Sequence, residues 1–173
     1  MLQPDLYWIR DVEGVRLAIM PRPRSGEWLA DEITGWNRLG VQTVVSLLEL
    51  HEVSELDLAN EETLCRAAGL QFISFPVPDR GVPSNSVAFA KLVASIEQRL
   101  RSGGSVAVHC RAGIGRSGLL GACILKAFGV DPDSAFRILS RARGVAVPDT
   151  DAQIAWVREY SRGQSRPRQS PSH

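Results

Sequence analysis

The chain is poor in cysteine, carries almost no net charge and has no long apolar run. Three cysteines, Cys65, Cys110 and Cys123, among 173 residues are too sparse and too odd in number for a disulfide scaffold, and they point to a reducing compartment. Twenty Lys and Arg against 19 Asp and Glu leave a formal net charge of +1. The basic residues are spread rather than clustered, so no nucleic-acid partner is expected. No segment is apolar enough for long enough to span a bilayer. Residues 1–8 lack the basic start and apolar centre of a signal peptide, so the expected location is the cytoplasm. No His/Cys cluster has metal-ligand spacing, and there are no internal repeats.

What remains has the composition of a globular domain. Hydrophobic residues make up 44% and charged residues 23% of the chain, and this length suits one domain with a substantial core. Strands are expected over residues 15–20, 41–48, 71–75 and 105–109, each short and β-branched or apolar. Helices are expected over 27–39, closed by Gly40; over 56–68, closed by Gly69; and over 84–101, where Ala88, Leu92, Ile96 and Leu100 recur at four-residue spacing. A further helix begins at Asp131-Pro132 and ends in Arg141, Arg143 and Gly144, the cap, first-turn proline, basic last turn and glycine stop of a helix. A last one covers 151–161. Alternating strands and helices imply a single α/β domain, a mainly parallel central sheet flanked by helices, over residues 1–161. Residues 162–173, rich in Arg, Gln, Ser and Pro without periodicity, are expected to be a disordered tail.

The chemistry concentrates in His109-Cys110-Arg111-Ala112-Gly113-Ile114-Gly115-Arg116-Ser117-Gly118. It follows an apolar strand and runs into a helix that is apolar on nearly every face, so residues 110–116 must turn from a strand end into a helix start. Backbone N–H groups there can converge on an anion, helped by the helix dipole. Gly113 and Gly115 permit close approach, and Arg116 supplies a planar fork for two phosphoryl oxygens. The same field acts on Cys110: a free thiol has a pKa of about 8.5, lowered to roughly 3.5–7.5 beside cations and helix N-termini. The segment reads as a thiolate nucleophile within a phosphate cradle. Two other readings compete. Cys110 can be a buried structural cysteine, and Gly113-x-Gly115-x-x-Gly118 matches a dinucleotide fingerprint, with Asp131 and Asp133 near the distance of a ribose-binding acid. That second reading leaves Cys110 and Arg116 without a task.

These residues resemble the Cys-x5-Arg-Ser/Thr signature of the cysteine-dependent protein-tyrosine phosphatase superfamily, and the chain is similar to its compact dual-specificity and bacterial-type members over residues 15–161. The resemblance implies a dual-specificity-phosphatase-like fold. It implies that Cys110 attacks phosphorus and that Arg116 and the amides of Arg111, Ala112, Gly113, Ile114 and Gly115 hold the phosphoryl oxygens. Ser117 would assist departure of the thiolate, and His109 would support Cys110 by hydrogen bonding.

Such chemistry needs an acid for the leaving oxygen, worth about 10²–10⁴-fold. Residues 75–83, Phe-Pro-Val-Pro-Asp-Arg-Gly-Val-Pro, follow a strand, demand a shaped loop and resemble the family's acid loop. Asp79 is the candidate acid and later base, against the alternative of a turn residue bonding its own backbone. Gln153 matches a late glutamine that orients the attacking water in some members, while Thr150-x-x-Gln153 equally forms a capping box. Glu49, His51 and Glu52 follow a strand and read as a charged connector. Arg22 and Arg24 read as anion-facing or as a solvated loop.

The expected activity is hydrolysis of phosphomonoesters, with phosphotyrosine proteins first and phosphoserine and phosphothreonine also admitted by a shallow pocket. No metal or cofactor is required. The partner is a phosphorylated protein or a small phosphomonoester. The loop interior lacks lysine, which ranks phosphoinositides second, with Arg111 keeping them in view. A phosphate-binding module without turnover and a rhodanese-type sulfurtransferase are the readings from other classes.

Overall fold

In the computed structural model, which describes residues 3–161, five strands and seven helices form a single α/β unit. The expected tail lies outside the described residues. The strands are β1 (Tyr7–Trp8), β2 (Arg16–Met20), β3 (Thr43–Ser46), β4 (Gln71–Ser74) and β5 (Ser105–His109). The helices are α1 (Leu29–Arg38), α2 (Leu50–Glu55), α3 (Glu61–Ala67), α4 (Ser86–Arg101), α5 (Gly115–Ala127), α6 (Pro132–Arg143) and α7 (Asp151–Glu159). Sheet order is β1-β2-β5-β3-β4, parallel throughout except at β1. The mainly parallel α/β fold expected from the sequence is therefore present.

Period-two side-chain alternation explains why both faces are covered. In β2, Leu17 and Ile19 join the core beneath α4–α7, while Ala18 and Met20 face the core under α1 and α3. In β5, Val106 and Val108 take the first face and Ala107 the second. β5 lies between β2 and β3, with His109 level with Met20 on one side and Ser46 on the other. Three strand ends thus open loops on the same edge of the sheet, and β4 adds a fourth.

The helix expected at 56–68 is shortened to α3, and an unexpected short helix, α2, precedes it. Asp57 takes a left-handed φ of 54°, and Leu58 plunges into the core, its N–H bonded to the Val53 carbonyl at 2.9 Å. Burying that leucine outweighs helix continuity. The long amphipathic helix is capped by Asn85 rather than Ser84, the Asn85 side chain accepting from Ala88 N–H at 2.9 Å. Strand β1 has two residues, too few for any alternation to be read. Residues 26–28 form a 3-10 turn ahead of α1.

Candidate active site

Residues 110–114 connect β5 to α5 and form the floor of a cavity of about 190 Å³, whose lining includes Cys110, Arg111, Ala112, Ile114, Gly115, Arg116, Asp79, Arg80 and Asp149. Two backbone bonds fasten this loop to its neighbours: Arg22 N–H to the Arg111 carbonyl at 3.1 Å, and Leu47 N–H to the His109 carbonyl at 2.9 Å. Gly113 is required twice over. Its φ is +71°, and a Cβ there would collide with the Met20 carbonyl and Pro21 nitrogen. A larger cleft of about 620 Å³ lies at the opposite end of the sheet, between Gln42, Gln71, Gln98 and Arg99. It contains no cysteine, so the chemistry follows the smaller cavity.

Cys110 directly follows the end of β5 and is 2% exposed. Burial alone would push its thiol up. The Ser117 hydroxyl and backbone N–H, the Arg116 charge and the Gly113 N–H outweigh burial and hold the thiol below its ordinary value. The buried Ser117 hydroxyl has no geometric hydrogen-bond partner among the described residues, so it is free to turn to a Cys110 thiolate. The other two thiols behave oppositely. Burial drives Cys65 up to about 12 and raises Cys123 further still, so only Cys110 has a thiolate bias.

His109 faces away from the cavity, toward α1 and α3. Its Nδ1 donates to the Cys110 carbonyl at 3.1 Å, and Nε2 lies 2.5 Å from Glu61 Oε1. A carbonyl can only accept, so Nδ1 carries a hydrogen, and the second nitrogen faces a carboxylate. Burial alone would lower the imidazole's pKa; the Glu61 charge and hydrogen bond overcome this and raise it. Trp36 shields the pair, its ring centroid 6.3 Å from that of His109. Glu61 went unnoticed in the sequence because nothing local ties it to a histidine 48 positions away.

Arg116 is held by four hydrogen bonds to Glu52, Val77 and Asp79, with a longer one to the Leu47 carbonyl at 3.4 Å. Its Nη1 donates to Glu52 Oε2 at 2.7 Å and to the Val77 carbonyl at 2.9 Å, and Nη2 donates to Glu52 Oε1 at 2.9 Å and to Asp79 Oδ1 at 3.1 Å. Glu52 is buried. Burial would raise its carboxyl, but the Arg116 hydrogen bonds and the capping bond from Glu49 N–H lower it to about 2. The Glu49–Glu52 capping box signals only a helix start. That its carboxylate clamps the arginine fork is visible only in three dimensions. Of the same charged connector, His51 stays on the surface beside Glu49.

The sequence candidates sort cleanly. Asp79 reaches the site, half exposed and paired to Arg116. Arg111 is met by Glu52 at 3.4 Å and Glu55 at 3.6 Å, and Arg24 by Glu32 at 2.7 Å. Arg22 lies beside the loop through its backbone bond to Arg111. Gln153 is buried and makes the capping box with Thr150. Arg143, read in the sequence only as part of a basic helix end, donates to the Ala112 carbonyl at 3.1 Å with its guanidinium over the Tyr7 ring. The dinucleotide reading falls: Asp131 caps α6 through Ser134 N–H and Asp133 pairs with Arg158, at the end of α5 remote from the glycine loop.

Comparison with known proteins agrees with this geometry. A family described as Swiss Army Knife protein, DSP-PTPase phosphatase domain, matches residues 7–173. Cyclin-dependent kinase inhibitor 3 of Sus scrofa is 28% identical over 123 residues, covering 70% of this chain and 58% of the relative. The chain spans just over half the length of that relative. A crystal structure of kinase associated phosphatase, its catalytic-site cysteine substituted by serine, shares the fold with a TM-score of 0.81 at 18% identity, over 92% of this chain and 94% of that one. Tk-PTP in its active form gives 0.73 at 27% identity, over 91% and 97%. With the cysteine–arginine loop on a parallel sheet and a family match along nearly its whole length, the chain belongs to the DSP-PTPase phosphatase domains of the Swiss Army Knife type, within the cysteine-dependent protein-tyrosine phosphatase superfamily.

Proposed function

We propose that the protein hydrolyses phosphomonoesters on proteins, phosphotyrosine foremost and phosphoserine and phosphothreonine as well, through a phosphocysteine intermediate. The observation that carries this reading is the placement of a thiolate-favouring Cys110 and the Arg116 fork around one small cavity, with the Asp79 carboxylate 3.1 Å from that fork. The Cys110 sulfur attacks phosphorus, forming the S–P bond as the P–O bond of the ester breaks. Asp79 gives its proton to the departing oxygen. In the second step Asp79 takes a proton from water, whose oxygen attacks phosphorus. The S–P bond breaks, and Ser117 stabilises the returning thiolate. Arg116 and the loop amides supply the positive charge, so this chemistry needs no metal.

Substrate class follows from charge. Arg111 is the one basic residue of the loop besides Arg116 and pairs with Glu52 and Glu55, so the loop brings no further unpaired cation for a second phosphate. This favours a singly phosphorylated side chain over a phosphoinositide bearing several phosphates. PTPMT1 in complex with PI(5)P is among the similar folds, at 19% identity, and makes phosphoinositides the comparison to run. All three cysteines are free, consistent with work in the reducing cytoplasm, where Cys110 stays available.

The test is phosphate release in EDTA from phosphotyrosine, phosphoserine and phosphothreonine peptides and from phosphoinositides, with Cys110→Ser as blank. Release from the peptides that vanishes in the variant is expected. Release only from phosphoinositides would move the substrate class, and binding without release would make the domain a phosphate-recognition module.

A further inference from the structure

Three loops of the site meet at one side chain that takes no part in holding phosphate. Gln153, on the first turn of α7, is fully buried. Its Oε1 accepts from the backbone N–H groups of Asp149 and Thr150, each at 3.1 Å, and its Nε2 donates to the Gly81 carbonyl at 3.1 Å. These neighbours fix which way the amide points, since N–H groups call for an acceptor and a carbonyl for a donor. The amide also lies against Gly115 of the phosphate loop, where a Cβ would come within 3.0 Å of Oε1 and 3.1 Å of Nε2.

Gly81 is not an arbitrary anchor. Its N–H closes a turn onto the Pro78 carbonyl at 2.8 Å, with Asp79 and Arg80 as the two central residues. Arg80 carries a φ of +56°, left-handed backbone that a non-glycine residue adopts uncommonly and that restraint on both sides of the turn helps hold. The near side of the turn is restrained at Val77, whose carbonyl accepts from Arg116 at 2.9 Å and whose N–H donates to the Leu47 carbonyl at 3.0 Å. The far side is restrained at Gly81 by Gln153. An outer pair, Arg80 with Asp149 at 3.3 Å, is solvent-exposed and contributes little.

We propose that Gln153 is the positioning residue of the Asp79 turn: its amide bridges Gly81 to the start of α7 across Gly115, and so fixes where the acid is presented to the leaving oxygen. This rests on the phosphatase reading above. It assigns Gln153 to the first chemical step, in contrast to the orientation of hydrolytic water in the second, which the family resemblance implied. Three of the four hydrogen bonds open to the amide are already made to backbone.

Gln153→Glu separates the two tasks of the side chain. A carboxylate keeps the acceptor that caps α7, where glutamate is a favoured partner of Thr150, but cannot donate to Gly81. The measurement is kcat/KM, which reports only steps through formation of the phosphoenzyme, on aryl phosphates of graded leaving-group pKa, together with pre-steady-state bursts. The expected result is a loss of about tenfold or more on the poorest leaving group and little on the best, a share of the general-acid contribution. The unfolding midpoint should be kept, and Asp79→Asn/Gln153→Glu should be no worse than Asp79→Asn alone. Gln153→Met should show the same leaving-group pattern. Unchanged kcat/KM with lowered kcat and a new burst of leaving group would overturn the proposal in favour of water orientation. An equal loss on every substrate with a lowered midpoint would overturn it in favour of a structural role. If the parent enzyme shows no Cys110-dependent release at all, it is the phosphatase reading that fails, a result distinct from each of these.

Discussion

His109 and Glu61 form an ion pair sealed from solvent, Nε2 to Oε1 at 2.5 Å with side chains 0% and 2% exposed. The imidazole's other nitrogen donates to the carbonyl of the nucleophile itself. The pair therefore fixes the backbone that aims Cys110 and places positive charge behind the sulfur. Glu61→Gln should move the acidic limb of the kcat/KM profile, and of iodoacetate alkylation, toward higher pH, because a neutral imidazole no longer favours the thiolate. Glu61→Ala, which leaves the buried imidazole nitrogen without its partner, should lower stability by about 1–3 kcal/mol in denaturant titration.

Glu52 should make the fold acid-sensitive in a defined window. Its carboxyl lies near 2 in the folded protein against an ordinary value of 4.5. The stabilisation is fully present above the ordinary value and disappears as pH falls through the folded one. Denaturant titrations across that window should show the wild type losing on the order of 2–3 kcal/mol more than Glu52→Gln. Parallel curves for the two proteins would remove Glu52 from that role.

Arg116→Lys keeps the charge but discards the planar fork that spans Glu52 and the cavity. A point charge cannot satisfy both, so kcat/KM should fall by about 10²–10³-fold. Inorganic phosphate should inhibit the variant much more weakly than the wild type, which a competition assay reads directly.

Asp79→Asn should cost about 10²-fold or more on alkyl phosphates and poor aryl leaving groups, and far less on activated aryl phosphates. Equal losses on both would point to another acid.

Thiol reactivity should be confined to one residue. Brief iodoacetamide treatment near neutrality should label Cys110 alone in a peptide map, because burial raises both Cys65 and Cys123. Peroxide should inactivate the enzyme, and added thiol should restore it, through the sulfenic acid of Cys110.

The parts legible in the sequence were those with local causes. A strand, a glycine-bearing turn and a buried helix around Cys110 and Arg116 follow from residue type and spacing, as do the Thr150–Gln153 capping box and the Gly144 stop. Asp79 was legible through the prolines and glycine that shape its loop. The partners that tune the site were not. Glu61 and Glu52 meet His109 and Arg116 across 48 and 64 residues of chain, and a buried carboxylate looks the same in sequence as a solvated one. The break at Asp57 was hidden for a similar reason, since burial of Leu58 is a tertiary effect.

The central claim is that Cys110 becomes covalently phosphorylated during turnover. Acid quenching of the enzyme during turnover of a phosphotyrosine peptide, followed by peptide mass spectrometry, tests it most directly. Phosphate is expected on Cys110, formed before inorganic phosphate appears and absent in Cys110→Ser. Turnover with no phosphoenzyme, or with phosphate on another residue while Cys110→Ser remains active, would contradict it.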